Sequence, residues 1–360
     1  MGQKNWIIFL LLVLPSFLQA QTYPNLNISL GAHYGFLAYH HKNMRGMATS
    51  HIKGGELELS FRCPGNKNWH KFYRYPLYGV NLTALNLGSP DYLGTGVALY
   101  PFIRFPLLGG KKYQIHLRTG AGLGFIENIF DPDLNNKATA IGSHVNAFIN
   151  LRLSSYIRLY KGLVLDFGLG LSHFSNGGSK KPNRGINIPS LNLTLIYELG
   201  HKNEVIKDTT TYTYTKHRFF TILSGGFAQL SKPGGKTYGA TSLQAFYDFR
   251  ATKKSSFGAG IDLMYFAGNR EKFRRDSVAV GSPLENIQLG GKVFYQFNMH
   301  RLMLPIELGF YAYSKEKSVG LMYHRIGVRF QATDHLLLNL TLKTHFAVAE
   351  YIEWGLGWRF

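Results

Sequence analysis

Alternation of apolar and polar side chains, repeated in short segments down most of the chain, narrows the fold more than any other feature. Ile352, Trp354, Leu356, Trp358 and Phe360 share one parity, and Glu353, Gly355, Gly357 and Arg359 take the other. Val145, Ala147, Ile149, Leu151 and Leu153 alternate with His144, Asn146, Asn150, Arg152 and Ser154, interrupted only by Phe148. Leu336, Leu338, Leu340 and Leu342 alternate with Asn339, Thr341 and Lys343. Successive side chains of a strand point to opposite faces, so each segment presents one apolar face and one polar face. Hydrocarbon outside and a polar interior inside select this pattern in membrane-spanning strands. A soluble β-protein would have to bury the terminal aromatic row.

Segments of this kind are expected near residues 26–39, 51–62, 76–88, 94–106, 113–126, 142–157, 162–175 and 190–200. After a polar stretch, residues 201–216 (HKNEVIKDTTTYTYTK), eight more are expected near 218–231, 237–251, 255–267, 287–299, 302–314, 321–333, 336–347 and 349–360. The predicted fold is all-β: an antiparallel transmembrane β-barrel, either two eight-stranded units in tandem or one sixteen-stranded ring. The alternating last strand ending in Phe360 resembles the assembly signal of outer-membrane barrels, which implies the outer-membrane assembly machinery as a partner. Residues 162–176 can be laid on 335–349, each the seventh strand of its half, as in an old duplication.

Residues 1–20 read as a secretory signal peptide. Lys4 supplies the positive start, residues 6–14 (WIIFLLLVL) a short apolar run, Pro15 a break and Ala20 a small residue at the cut. Export bears on the net charge of +20, which favours a polyanion. Phosphorylated lipid then becomes a better partner than nucleic acid. Cys63 is the only cysteine, so no intrachain disulfide and no cysteine-based zinc site can form. His33, His40, His41, His70 and His116 are scattered without metal-ligand spacing. No metal or cofactor is expected.

The seventh segment carries chemistry. Leu163, Leu165, Phe167, Leu169 and Leu171 form its apolar row, and two further steps on that parity reach His173 and Ser175. Residues i and i+2 on a strand share a face at roughly 6–7 Å, within reach of an imidazole. A serine hydroxyl needs a base to become a nucleophile, and histidine is the usual one. With a periplasmic N-terminus the odd strands run outward, so the pair belongs at the external rim. The following loop offers Gly and Asn amides for an oxyanion, and Lys180, Lys181 and Arg184 for phosphates.

Residues 173–187 read HFSNGGSKKPNRGIN. This segment resembles the active-site pattern of the lipid A 3-O-deacylase (PagL-type) family, close to H-x-S-N-x-G-x-K-x-P-N-x-G-I-E. The match covers His173, Ser175, Asn176, Gly178, Lys180, Pro182, Asn183, Gly185 and Ile186. The resemblance implies an eight-stranded outer-membrane barrel over residues 21–200, a Ser-His-acid triad on its outer surface, and lipid A of the outer leaflet as substrate. The acid of the pattern falls at Asn187, which shares the outward parity of Leu191, Leu193 and Leu195. Asn187 can orient the imidazole through its amide oxygen, but cannot neutralise an imidazolium. The expected oxyanion groups are Asn176 or Asn183 with the Gly178 amide. Glu127, Asp131 and Asp133, on the preceding external loop, offer a weaker source of an acid.

The expected organisation is a signal peptide (1–20), a deacylase-like unit (21–200), a periplasmic connection (201–216) and a second unit (217–360). That second unit places Val348 where Ser175 stands and His345 on the inward parity, so it is expected to be non-catalytic. The competing expectation is a diffusion channel or a structural barrel.

Overall fold

A computed structural model of the chain describes residues 26–199, 214–230, 232–346 and 348–360. The expected signal peptide and residues 201–213 of the expected connection lie outside the described residues. The first eight strands are β1 (Leu26–Gly35), β2 (Ile52–Arg62), β3 (Leu77–Asn86), β4 (Thr95–Gly109), β5 (Tyr113–Ile126), β6 (Val145–Tyr160), β7 (Leu163–Ser175) and β8 (Ile186–Glu198). They are followed by β9 (His217–Gln229), β10 (Thr237–Phe249), β11 (Ser255–Phe266), β12 (Ile287–Met299), β13 (Leu302–Ser314), β14 (Met322–Gln331), β15 (Leu336–His345) and β16 (Val348–Arg359).

Closure decides between the two architectures. β1 pairs with β8, Leu30 opposite Leu195. β16 pairs with β9, Leu356 opposite Leu223. The molecule is therefore two closed eight-stranded antiparallel barrels and not a single ring. No described helix is long and apolar enough to cross a membrane. One boundary moves appreciably: β8 begins at Ile186 rather than near 190, so Asn187 lies inside a strand.

The alternation sets what faces where. Along β7, Phe167, Leu169 and Leu171 are exposed on the outer wall, while Asp166 and Ser172 are buried inside. The first interior is filled by a charged network. Arg118 and Arg152 donate to Glu56 at 3.0 and 2.7 Å, and Arg104 and Arg118 donate to Glu58 at 2.9 and 2.8 Å. Arg325, Arg329 and Lys292 pair with Asp262, Glu307 and Glu353 in the second barrel. Buried ions are costly unless paired, so these residues form a mutually neutralising set. Around Phe148, Phe174, Leu87, Met44 and Met47 an apolar cluster closes the end of the first barrel to which β7 runs. Interiors of eight-stranded barrels are narrow enough for side chains to fill, and both are filled here. The channel reading, which rested on a sixteen-stranded lumen, loses its basis.

The barrels meet at both ends. Tyr73 donates to the Asn298 carbonyl at 3.0 Å near one end. Near the other, the Gln229 N–H donates to the Gly178 carbonyl at 3.0 Å.

Candidate active site

β7 and β8 are hairpin neighbours, and their register sets His173 directly opposite Asn187. The His173 Nδ1–H donates to Asn187 Oδ1 at 2.6 Å. The Asn187 amide then donates from Nδ2 to His40 Nδ1 at 3.1 Å. An amide oxygen only accepts, so this chain assigns the proton of His173 to Nδ1 and leaves Nε2 as the basic nitrogen. Sequence spacing left His40 among scattered histidines. Its position comes from an extension of β1 beside β8, where the Ala38 N–H donates to the Asn187 carbonyl at 2.9 Å. A signal was available: Tyr34, Phe36 and His40 continue the outward parity of Leu30, and all are exposed.

Ser175 shares the outer parity of His173 but is only 9% exposed. Its hydroxyl donates to Asn183 Oδ1 at 3.2 Å and accepts from the Gly177 N–H at 3.2 Å. In this conformation the hydroxyl is held by Asn183 and not by His173. Asn183 is itself placed by a bridge to Ile141 in the β5–β6 loop.

The other loop residues divide their work. The Asn176 side chain braces its own loop: Nδ2 donates to Ser143 Oγ and to the Lys180 carbonyl, both at 2.8 Å, and Oδ1 accepts from the Gly178 N–H at 3.0 Å. Asn176 and the Gly178 amide, expected to face an oxyanion, are thus engaged within the loop. Lys180, Lys181 and Arg184 do not converge. Lys180 is exposed, and Arg184 donates to the Thr139 carbonyl at 2.8 Å. The Lys181 N–H donates to Gln229 Oε1 of the second barrel at 2.9 Å. Among the acids of the β5–β6 loop, Glu127 accepts from the Thr95 N–H and Asp131 from the Leu134 and Asp133 N–H groups. Those two donors hold the Asp131 carboxyl below its ordinary range. Both side chains serve turns and neither partners His173.

Two glycines shape the hairpin end. Gly177 has φ +65, and a Cβ there would lie 2.4 Å from Ile352 Cγ1 on the outer wall of the second barrel. Gly185 has φ +77, and its Cβ would lie 2.6 Å from His173 Cε1. Left-handed backbone with no room for a side chain leaves glycine as the residue that fits.

Residues 53–195 match the family model for lipid A 3-O-deacylase (PagL), and residues 217–360 match that for the acyloxyacyl hydrolase C-terminal domain. The chain belongs to the lipid A 3-O-deacylase family. The deacylase model ends at residue 195, within the 21–200 span that the resemblance implied, and the C-terminal barrel has a family model of its own. No curated protein sequence matches.

Solved structures similar to this lipid A deacylase family member are outer-membrane barrels. Neisserial surface protein A is 9% identical, with 49% of this chain and 97% of that one covered and a TM-score of 0.33. The siderophore receptor PirA from Acinetobacter baumannii is 10% identical, covering 89% and 43% at 0.23. OccK1 from Pseudomonas aeruginosa is 10% identical, covering 93% and 98% at 0.23. The family and the barrels together place the protein in the outer membrane.

Among the described residues of the second barrel, the positions laid on His173 and Ser175 do not form a His-Ser pair. His345 turns inward to Tyr311, whose hydroxyl lies 2.8 Å from Nε2, and Val348 stands opposite it in the register.

Proposed function

We propose that this deacylase removes an ester-linked acyl chain from lipid A with Ser175 as nucleophile, His173 as general base and Asn187 as the group that orients the base. The observation that carries the reading is the relay His40–Asn187–His173 on the outer wall. It supports a base with a free Nε2 facing the leaflet side of the barrel, two residues from a serine on the same face.

In the first step the Ser175 hydroxyl leaves Asn183, gives its proton to His173 Nε2 and attacks the ester carbonyl. A tetrahedral oxyanion forms. His173 returns the proton to the sugar oxygen as the carbon–oxygen bond breaks, leaving an acyl-enzyme. Water then attacks the acyl carbon, its proton passing to His173 and on to the departing Ser175 oxygen. Fatty acid is released and the hydroxyl is restored. Asn183 would become an oxyanion donor only by turning its Nδ2 to the substrate oxygen once the hydroxyl has left, because the atom that touches the nucleophile here is its acceptor Oδ1. The Gly177 N–H is within reach of the Ser175 oxygen, and the Gly178 N–H would have to leave Asn176 to join them. No step requires a cofactor. Lys180, Lys181 and Arg184 are proposed to meet the phosphates of the substrate.

The test is fatty-acid release from purified lipopolysaccharide by the full chain in detergent, read by mass spectrometry. Ser175→Ala is expected to abolish it. Release undiminished in that variant would remove the mechanism.

A further inference from the structure

Beside the candidate active site, on the second barrel's side of the loop, lies a cavity of about 430 Å³. Lys181 enters it from the first barrel. Lys272 and Arg275, from the short helix Asn269–Arg275, enter it from the second, with Gln229, His345 and Glu350 also in its wall. Phe346, Val348 and Ala349 add apolar lining.

The charges in this wall are unbalanced. Three cations face one carboxylate, Glu350, and that carboxylate is already shared between Lys272, at 3.1 Å, and Lys343. Arg275 is bonded through Nε to Asp276 at 3.0 Å on the exposed rim. Among the described residues the Lys181 ammonium has no hydrogen bond or ion pair, although its backbone is clamped to Gln229. Burial, reinforced by Lys272 and opposed by Glu350, draws the Lys181 ammonium below the usual lysine range. A half-buried cation without a partner, held beside two others, is stabilised by an anion that brings its own oxygens. The apolar wall next to the cations suits an anion attached to an amphiphile better than a free ion.

We propose that this cavity binds a phosphate monoester of the lipid headgroup, with Lys181, Lys272 and Arg275 as its donors. The C-terminal barrel is then a recognition element that docks the substrate for the site on the N-terminal barrel. This deepens the deacylase reading and rests on it for the identity of the lipid. The binding itself does not need the nucleophile.

The test uses the full chain carrying Ser175→Ala, in detergent, so that binding is measured without turnover. Affinity for bisphosphorylated lipid A is compared with affinity for the same lipid after phosphatase treatment. The parent is expected to prefer the phosphorylated lipid by roughly tenfold or more, the scale of one or two charge-assisted hydrogen bonds. The combination of Lys181→Gln, Lys272→Gln and Arg275→Gln is expected to erase that preference. Heat-modifiable migration on gels confirms that the barrels have formed. The single Lys181→Gln, whose ammonium has no protein partner to lose, is expected to weaken the preference by itself and guards against misfolding of the triple variant. A preference that survives in the folded triple variant, or is absent in the parent, overturns the proposal. Inorganic phosphate that displaces lipid A at lipid-like concentrations would overturn its assignment to a lipid headgroup. Undiminished hydrolysis by the Ser175→Ala chain while the phosphate preference remains would count against the serine mechanism and not against this cavity.

Discussion

Asn187 is where this chain departs from the Ser-His-acid pattern, and its neighbours explain how an amide is accommodated. A carboxylate at this position would accept from both rings. The amide accepts from His173 and donates to His40, so it is held from both sides. His173→Ala is expected to lower fatty-acid release by about 10²–10⁴, the range for loss of a general base. Asn187→Ala is expected to cost less, because the ring loses its orientation but keeps its basic nitrogen. His40→Ala is expected to cost less again, since it touches only the group that touches the base. Asn187→Glu is expected to raise the rate, because a carboxylate both orients the imidazole and stabilises its charged form. In serine proteases the reverse change costs about 10⁴, an upper guide for the gain here. Initial rates of the four variants on lipopolysaccharide order these effects. An Asn187→Glu enzyme slower than the parent would show that the site is built around the amide.

At the scale of the hairpin, β7 and β8 bring His173 and Asn187 together by register, while the loop between them holds Ser175 and Asn183. Gly185 packs against the imidazole, and a methyl group there meets the ring at 2.6 Å. Gly185→Ala is therefore expected to displace His173 and lower the rate at least tenfold. Strain at a left-handed residue adds about 1–3 kcal/mol of local destabilisation. Kinetics with a heat-modifiability control separate the two effects. On the outer wall of β7, Leu169 is 66% exposed and faces the leaflet. Leu169→Arg is expected to cost about 2–4 kcal/mol if it lies near the bilayer midplane, measured by urea unfolding in lipid vesicles.

For the whole molecule, two filled barrels replace one open lumen. Glu307 is bonded by Lys292 and Arg329 inside the second barrel. Glu307→Gln leaves those cations short of a counter-charge and is expected to destabilise that barrel by about 3–5 kcal/mol. Urea unfolding followed by tryptophan fluorescence in a Trp69→Phe background reports on this barrel, because Trp354 and Trp358 lie on β16 and Trp69 belongs to the first barrel. Planar-bilayer recording of the purified protein is expected to give no steady ion conductance, since both interiors are occupied by side chains. A stable ohmic channel would contradict the packing.

Local alternation was enough to read the strands, their outward faces and the His173–Ser175 parity, because side-chain direction in a strand depends only on position along it. The spacing of residues 173–187 was enough to read the family resemblance. Closure was not legible, because one ring and two rings share the same strand pattern and differ only in whether β8 pairs with β1. Asn187 opposite His173 depended on where β8 begins, and the sequence reading placed that start four residues late. His40 was hidden because its partner is separated from it by most of the first barrel and becomes a neighbour only when β1 closes on β8. The shared cavity was equally out of reach: Lys181 and Lys272 belong to different barrels, and only packing one barrel against the other sets their charges side by side.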